Sequence, residues 1–520
     1  MASDPLITTE YWTNIQITPQ DIEFLHTYLF EHEVPLTAHE LVSVFVNERV
    51  RFEKQALQQR RQAGGRTYLP KDSFQPGDDL IFPALDWKHG KVSAVRSGVN
   101  PELGPFDVLA VDMDGGSERL FASNLAVHTL NEQSATVEEK EFDVDAIQRD
   151  YGSLLEKKIE AAFQADEEIV RIAGRWFPRA LLIDVNVGHL NLAEAVLDMS
   201  GGEPLPTSAL LKDVSLPEGV NPKLAEFSLN YALQDDDRFD EVGPAGQVLW
   251  SLRRLEPAEV RDVPMYLQYS PIEHDRSVLT PQMLDLEARL DDELSDFSSA
   301  PNRDVKEVTI SLIFPHLRAG TLPLSARVRP LFPTAYESPR VRFTLVDGKT
   351  KQKMPGWVVR ECGYVFGLRE WYKSSDLMPG SLVRIQRGEN PGEVIIEARP
   401  YRAKDWVRTV IVGADGGLVF AMLKQSISAE FNDRMAFAIP SVEAVEQLWL
   451  QNKRPFEKLV ADMIREMSKL TPQGHVHAQE LYSAVNIVRR VPPAPLFAML
   501  ASRPEFVHVG DMHFRLGETE

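Results

Sequence analysis

Gly320-Thr321-Leu322-Pro323-Leu324, then Val341-Arg342-Phe343-Thr344-Leu345, Asp347-Gly348 and Trp357-Val358-Val359-Arg360, is the stretch on which the reading of the fold turns. Apolar residues at every second position put one side of each run in a core, which is the signature of strands. Asp-Gly between two such runs predicts a tight hairpin turn. Working outward, Val308-Thr309-Ile310-Ser311-Leu312 alternates before it. Gly363-Tyr364-Val365-Phe366-Gly367-Leu368, Leu382-Val383-Arg384-Ile385 and Val394-Ile395-Ile396 follow it. Residues 305–408 therefore read as one β domain, and Trp357 and Trp371 as core residues within it.

Charge marks the same region. Between His316 and Arg408 stand 17 Lys+Arg and 9 Asp+Glu, a net +8 inside a chain of −21, so the remainder carries −29. Non-specific grip on a nucleic-acid backbone needs cations, and a basic island in an acidic chain supplies them locally.

The order of these runs resembles the pseudobarrel DNA-binding domain of plant auxin-response-type transcription factors, which a class of restriction endonucleases shares. The features that carry it are the Leu322-Pro323-Leu324 strand before a short helix, the Asp347-Gly348 hairpin and the Trp357 strand. After them come Tyr364-Val365-Phe366-Gly367-Leu368, the pair Trp371-Tyr372, and Leu377-Met378-Pro379-Gly380-Ser381. Ser381 stands where the family has an acidic residue. The resemblance spans about 90 residues of the chain. It implies two loop-borne arms in the major groove of duplex DNA. The first falls at His316 and Arg318 and the second at Arg360 and Tyr364, with Lys349, Lys351, Lys353, Arg369 and Lys373 as further contacts. Arginine suits bidentate contact with guanine, and lysine suits phosphate.

The flanks read as separate modules. Residues 1–66 form a helical N-terminal domain, with apolar spacing from Ile22 to Val46. Residues 67–135 give five short strands with tight turns, a small barrel of SH3 or Tudor type. Residues 140–200 read as helical, with Leu154, Leu155, Ile159, Phe163, Val170 and Ile172 on one stripe. Residues 201–256 and 455–520 share a plan of two helices, a strand with Phe-x-x-Val-Gly, a turn and a strand ending in Leu. Phe239-Asp240-Glu241-Val242-Gly243 leads to Leu252, and Phe506-Val507-His508-Val509-Gly510 leads to Leu516. Both resemble winged-helix domains, which places the glycine at the wing's turn. The N-terminal helices are a candidate for a degenerate third copy. Residues 257–304 read as a linker with a helix capped at Thr280-Pro281, and 409–454 as a β hairpin and a helix. The fold class is α+β multidomain.

Chemistry is sparse. Cys362 is the single cysteine, which excludes a disulfide within the chain and cysteine-rich zinc modules. His475 and His477 share a module with His508 and His513, but structural roles in that module outweigh a metal site. Asp291-Asp292-Glu293 and Asp235-Asp236-Asp237 read as solvated acidic turns. Val111-Asp112-Met113-Asp114-Gly115 is similar to a phosphatase nucleophile motif, yet a hairpin turn explains it better. Phosphate-loop, zinc-protease, serine-hydrolase and dinucleotide motifs are missing from the sequence, so no cofactor and no enzyme activity is expected. The opening Met1–Pro5 lacks a secretory pattern and no run of about 18 apolar residues occurs. The expectation is a cytoplasmic protein without a membrane contact. The reading is a duplex-DNA-binding protein in transcription regulation or defence against foreign DNA. Arg489 and Arg490 are second DNA-contact candidates, and the acidic winged helices suit RNA polymerase or another protein. The first alternative is a protein–protein scaffold without DNA contact; the second is a hydrolase or nuclease with a cryptic site.

Overall fold

The computed structural model describes residues 9–62, 65–85, 88–100, 104–113, 116–131, 144–217, 219–296, 305–413, 417–451 and 454–517. The chain is α+β and divides into two compact units, Met1–Arg171 with Arg175–Leu182, and Ile172–Gly174 with Ile183–Glu520.

In the first unit the helix Pro19–His32 begins at a capping box, with Thr18 and Asp21 satisfying each other's backbone N–H groups. It packs with Ala38–Gln62 and Val144–Gln164 around Leu25, Leu29, Phe45, Ile159 and Trp176. The two-residue strand Leu36–Thr37 pairs with Arg175–Pro178, which also pairs with Ile169–Ile172. The expected helical run over 140–200 is thus broken between Val144–Gln164 and Val187–Met199 by a hairpin, and Val170 and Ile172 lie on its first strand. The turn explains this, because Ala173 and Gly174 both have positive φ, the conformation of a tight hairpin. Between the second and third helices lies a five-stranded sheet in chain order: Arg66–Thr67, Asp79–Phe82, Lys88–Ser97, Asp107–Met113 and Ser117–Ser123. Tyr68, Phe74, Phe82, Val92 and Leu109 form its core. The expected turn at Asp114-Gly115 lies outside the described residues.

The second unit holds the same plan twice. Val187–Met199, Leu205–Pro206, Thr207–Leu210, Pro222–Gln234, Phe239–Glu241 and Leu249–Leu252 form one module. Phe456–Met467, Val476–His477, Ala478–Val485, Pro493–Ser502, Phe506–Gly510 and His513–Leu516 form the other. Each of the three modules, the first unit's included, runs helix, two-residue strand, helix, helix, hairpin. In each, the two-residue strand pairs with the last strand of the hairpin. The two glycines of the Phe-x-x-Val-Gly pattern serve different needs. A Cβ on Gly243 would lie 1.9 Å from the Gln247 carbonyl oxygen, whereas Gly510 has φ +104°.

Residues 305–399 form a seven-stranded sheet. Its order is Glu307–Ser311, Leu382–Arg387, Glu393–Glu397, Arg340–Asp347, Lys353–Val359, Tyr364–Phe366 and Thr321–Pro323. All neighbours are antiparallel except Arg340–Asp347 with Glu393–Glu397. The two edge strands follow each other in the chain, joined only by the segment carrying the helix Phe314–Ala319. Nine linking residues reach at most about 30 Å, so the sheet curls to bring its edges near each other. Leu322, Val341, Leu345, Val365 and Ile385 fill the curl, with Trp371 against them. Trp357 is buried on the other side of the sheet, under Val260 and Leu267. The segment expected as a linker is therefore partly core. Its helix runs Pro281–Leu290 with Thr280 as cap, and the Ser298–Asn302 break lies outside the described residues. A long ribbon, Pro400–Val412 paired with Leu418–Ala429, joins this domain to the helix Val442–Gln451 and the C-terminal module.

Candidate nucleic-acid interface

Two of the arm residues are interior. His316 is 1% exposed, with Nδ1 2.8 Å from Thr321 Oγ1 and Nε2 3.1 Å from Glu293 Oε2. Tyr364 is buried, and its hydroxyl donates to the Glu259 carbonyl at 2.7 Å. Arg490 is buried too and donates to Asp292 (2.8 and 2.5 Å) and to Glu293 (2.7 Å). These three side chains, expected at the surface as contacts, lie in the interior. The acidic run Asp291–Glu293, expected in solvent, has its side chains buried: Asp292 and Glu293 partner Arg490, Glu293 also meets His316, and Asp291 accepts from Ser325 Oγ at 2.6 Å. Burial would push the Glu293 carboxyl up, but Arg490 and His316 outweigh it and hold it well below the usual carboxylate range.

The other arm cations reach the surface, mostly with partners. Arg318 pairs with Glu446, which also accepts from the Tyr266 hydroxyl at 2.8 Å. Arg369 pairs with Glu259 at 2.9 Å, and Arg360 donates to the Ser338 carbonyl at 2.6 Å. Lys373 pairs with Glu370 one turn back, and Lys353 with Glu393 across the sheet. Lys349 and Lys351 stand exposed on the turn after Arg340–Asp347, and the Asp347 carboxylate fixes that turn through the Lys349 N–H and the Thr350 hydroxyl. Arg489 is half-buried over the Phe456 ring.

One cleft of about 490 Å³ gathers three of these cations. Arg318, Arg369 and Lys373 line it beside Tyr266, Phe314 and Tyr372. The short helices Phe314–Ala319 and Arg369–Ser374 position them, and the backbone N–H of Leu368 to the Gly320 carbonyl (3.0 Å) ties the helices together. Gly320 has positive φ, and a Cβ there would meet Arg369 at 2.7 Å. The cleft's mixture of cations and aromatic walls suits a phosphate-bearing ligand.

A second polar cluster joins the preceding module to the sheet. Arg340 contacts Asp240 and lies 3.7 Å from Glu256, while Arg253 meets Asp240 at 2.9 Å. Burial, then the neighbouring Asp240 charge, push the Glu256 carboxyl up to about 8.

The histidines of the C-terminal module do gather, with His475 and His477 ring centroids 4.5 and 4.9 Å from that of His513. His477 Nδ1 accepts from the Gln479 N–H as a helix cap. Among the described residues no group of three or more ligand side chains is placed to hold a metal ion. No described helix is long and apolar enough to cross a membrane.

Sequence reasoning missed the internal partners Glu259, Glu293 and Glu446, which lie outside the basic island and close on it only through the fold. It also missed Lys404-Asp405-Trp406-Val407-Arg408, where cation and aromatic alternate with the period of a strand. Comparisons with protein-family models, curated proteins and solved structures return no match.

Proposed function

We propose that the chain is a multidomain DNA-binding protein in transcription regulation or defence against foreign DNA. In this reading 305–399 is a pseudobarrel that meets duplex phosphates at the Arg318–Arg369–Lys373 cleft, with Lys349 and Lys351 as outlying contacts. The convergence of three cations from two separate segments on one cleft carries the reading. The curl of the sheet supports the likeness to the auxin-response-type domain, and the three modules of one plan support winged-helix identity. The 67–135 segment is then an SH3-like barrel.

The test is anisotropy of a labelled random duplex with the full chain across a salt series. Arg369→Ala with Lys373→Ala is expected to weaken binding and to lower the salt slope by about 1.8, roughly 0.9 for each phosphate left without its cation. Absence of salt-dependent binding sinks the proposal. It would leave the scaffold reading, which one observation favours: Arg318 and Arg369 already hold carboxylates of this chain, Glu446 and Glu259.

A further inference from the structure

The ribbon Pro400–Val412 with Leu418–Ala429 carries a surface that the cleft reading does not use. Its register pairs Lys404 with Ser426, Trp406 with Lys424, Arg408 with Met422 and Val410 with Phe420. Opposed residues share a face, and every second residue returns to it. Along this face Val410 and Phe420 are buried in the core of the C-terminal module. Lys404, Ser426, Lys424, Met422 and Trp406 are exposed, Trp406 by 61%. It is the one tryptophan among the large exposed hydrophobic residues of the described chain.

Lys404 and Lys424 flank the indole, and neither meets a carboxylate within ion-pair distance among the described residues. Arg408, one step along, is held by Glu480 and donates to the Asp433 carbonyl at 2.6 Å. Exposed Arg434 follows Asp433, whose carbonyl holds Arg408. Asp433 nearby is exposed, while three other carboxylates are held or turned away. Glu480 holds Arg408, Asp285 holds Arg289 at 3.1 Å, and Asp405 lies on the opposite face, where it accepts from the Tyr401 hydroxyl at 3.3 Å.

We infer that this face of the ribbon binds single-stranded nucleic acid, with a base stacked on the Trp406 indole and backbone phosphates at Lys404 and Lys424. A flat aromatic accepts any unstacked base, while cations beside it follow the backbone. A duplex keeps its bases stacked and would leave the indole unused. The face is thus distinct from the cleft in residues and in the form of ligand it takes.

The test uses the full chain with labelled oligo(dT) and oligo(U) of about 20 nucleotides, longer than the roughly 4–16 nucleotides such grooves cover, and a duplex of equal length. Trp406→Ala is expected to weaken single-strand binding about tenfold or more and to leave duplex binding and the unfolding midpoint unchanged. Lys404→Ala with Lys424→Ala is expected to lower the single-strand salt slope by about 1.4. Arg369→Ala with Lys373→Ala leaves single-strand binding intact, so failure of the cleft reading shows separately. The inference is overturned if neither oligonucleotide binds at low salt or if Trp406→Ala binds as tightly as the parent. It is equally overturned if a polyglutamate peptide binds this face and the oligonucleotides do not, which would make it a protein-docking surface.

Discussion

Two buried ion clusters tie the curled sheet to its neighbours, and they are built with opposite protonation. At one, Arg490 from the C-terminal module faces Asp292 and Glu293, and the glutamate stays ionised. At the other, Arg340 from the sheet faces Asp240 and Glu256, and the glutamate is pushed towards its neutral form. The difference lies in geometry. Glu293 sits 2.7 Å from a guanidinium and 3.1 Å from the His316 ring, whereas Glu256 lies 3.7 Å from a guanidinium with the Asp240 charge against it. A nearby cation lowers a buried acid only when it is close enough to outweigh desolvation and like charge.

The comparison breaks most sharply at Arg490. Arg490→Met leaves Asp292 and Glu293 buried without their cation and is expected to cost about 3–5 kcal/mol of stability, read from urea unfolding at neutral pH. A loss below about 1 kcal/mol would mean that water or a rearranged neighbour serves the pair.

The next effect is a difference in pH dependence. The Glu293 contribution is complete above its unfolded pKa, near 4.3, and is lost as pH falls further towards its depressed folded value. The Glu256 contribution has the reverse sense. The folded state binds the proton more tightly, so stability falls as pH rises from the unfolded value through about 8. Glu256→Gln is expected to flatten the stability profile across that window and so to raise stability at pH 8. A profile unchanged by the substitution would show that Glu256 is ionised in the folded protein.

The smallest effect sharpens the first cluster. Ser325→Ala removes the hydrogen bond to Asp291 and is expected to cost about 1 kcal/mol by the same unfolding measurement. A cost as large as that of Arg490→Met would mean that the hydroxyl, and not the guanidinium, holds the cluster.

Strand periodicity made the β domain legible, because Val341, Phe343 and Leu345 declare their face by spacing alone. The repeated Phe-x-x-Val-Gly pattern likewise announced two modules. The first module showed only as a candidate third copy, without its hairpin, because Ile169–Ile172 and Arg175–Pro178 carry no such pattern and its second and third helices are far apart in the chain. The candidate site was legible in residue type but not in availability. Arg318 and Arg490 look alike as letters, yet Glu446 meets the first at the surface while Asp292 and Glu293 bury the second. Those partners come from 128 to 198 positions away, beyond any local pattern.

The five-stranded sheet inserted between Ala38–Gln62 and Val144–Gln164 has a consequence for synthesis on the ribosome. The first module cannot close its core until Ile159, Phe163 and Trp176 have emerged, about 100 residues or more after its second helix ends at Gln62. At about 5–20 residues per second this is a wait of some seconds, during which Leu41, Phe45 and Val46 lack their final cover. The inserted sheet, whose strands pair in chain order, can fold within that interval and bring the two halves together, so that a domain interruption serves as a timed clasp.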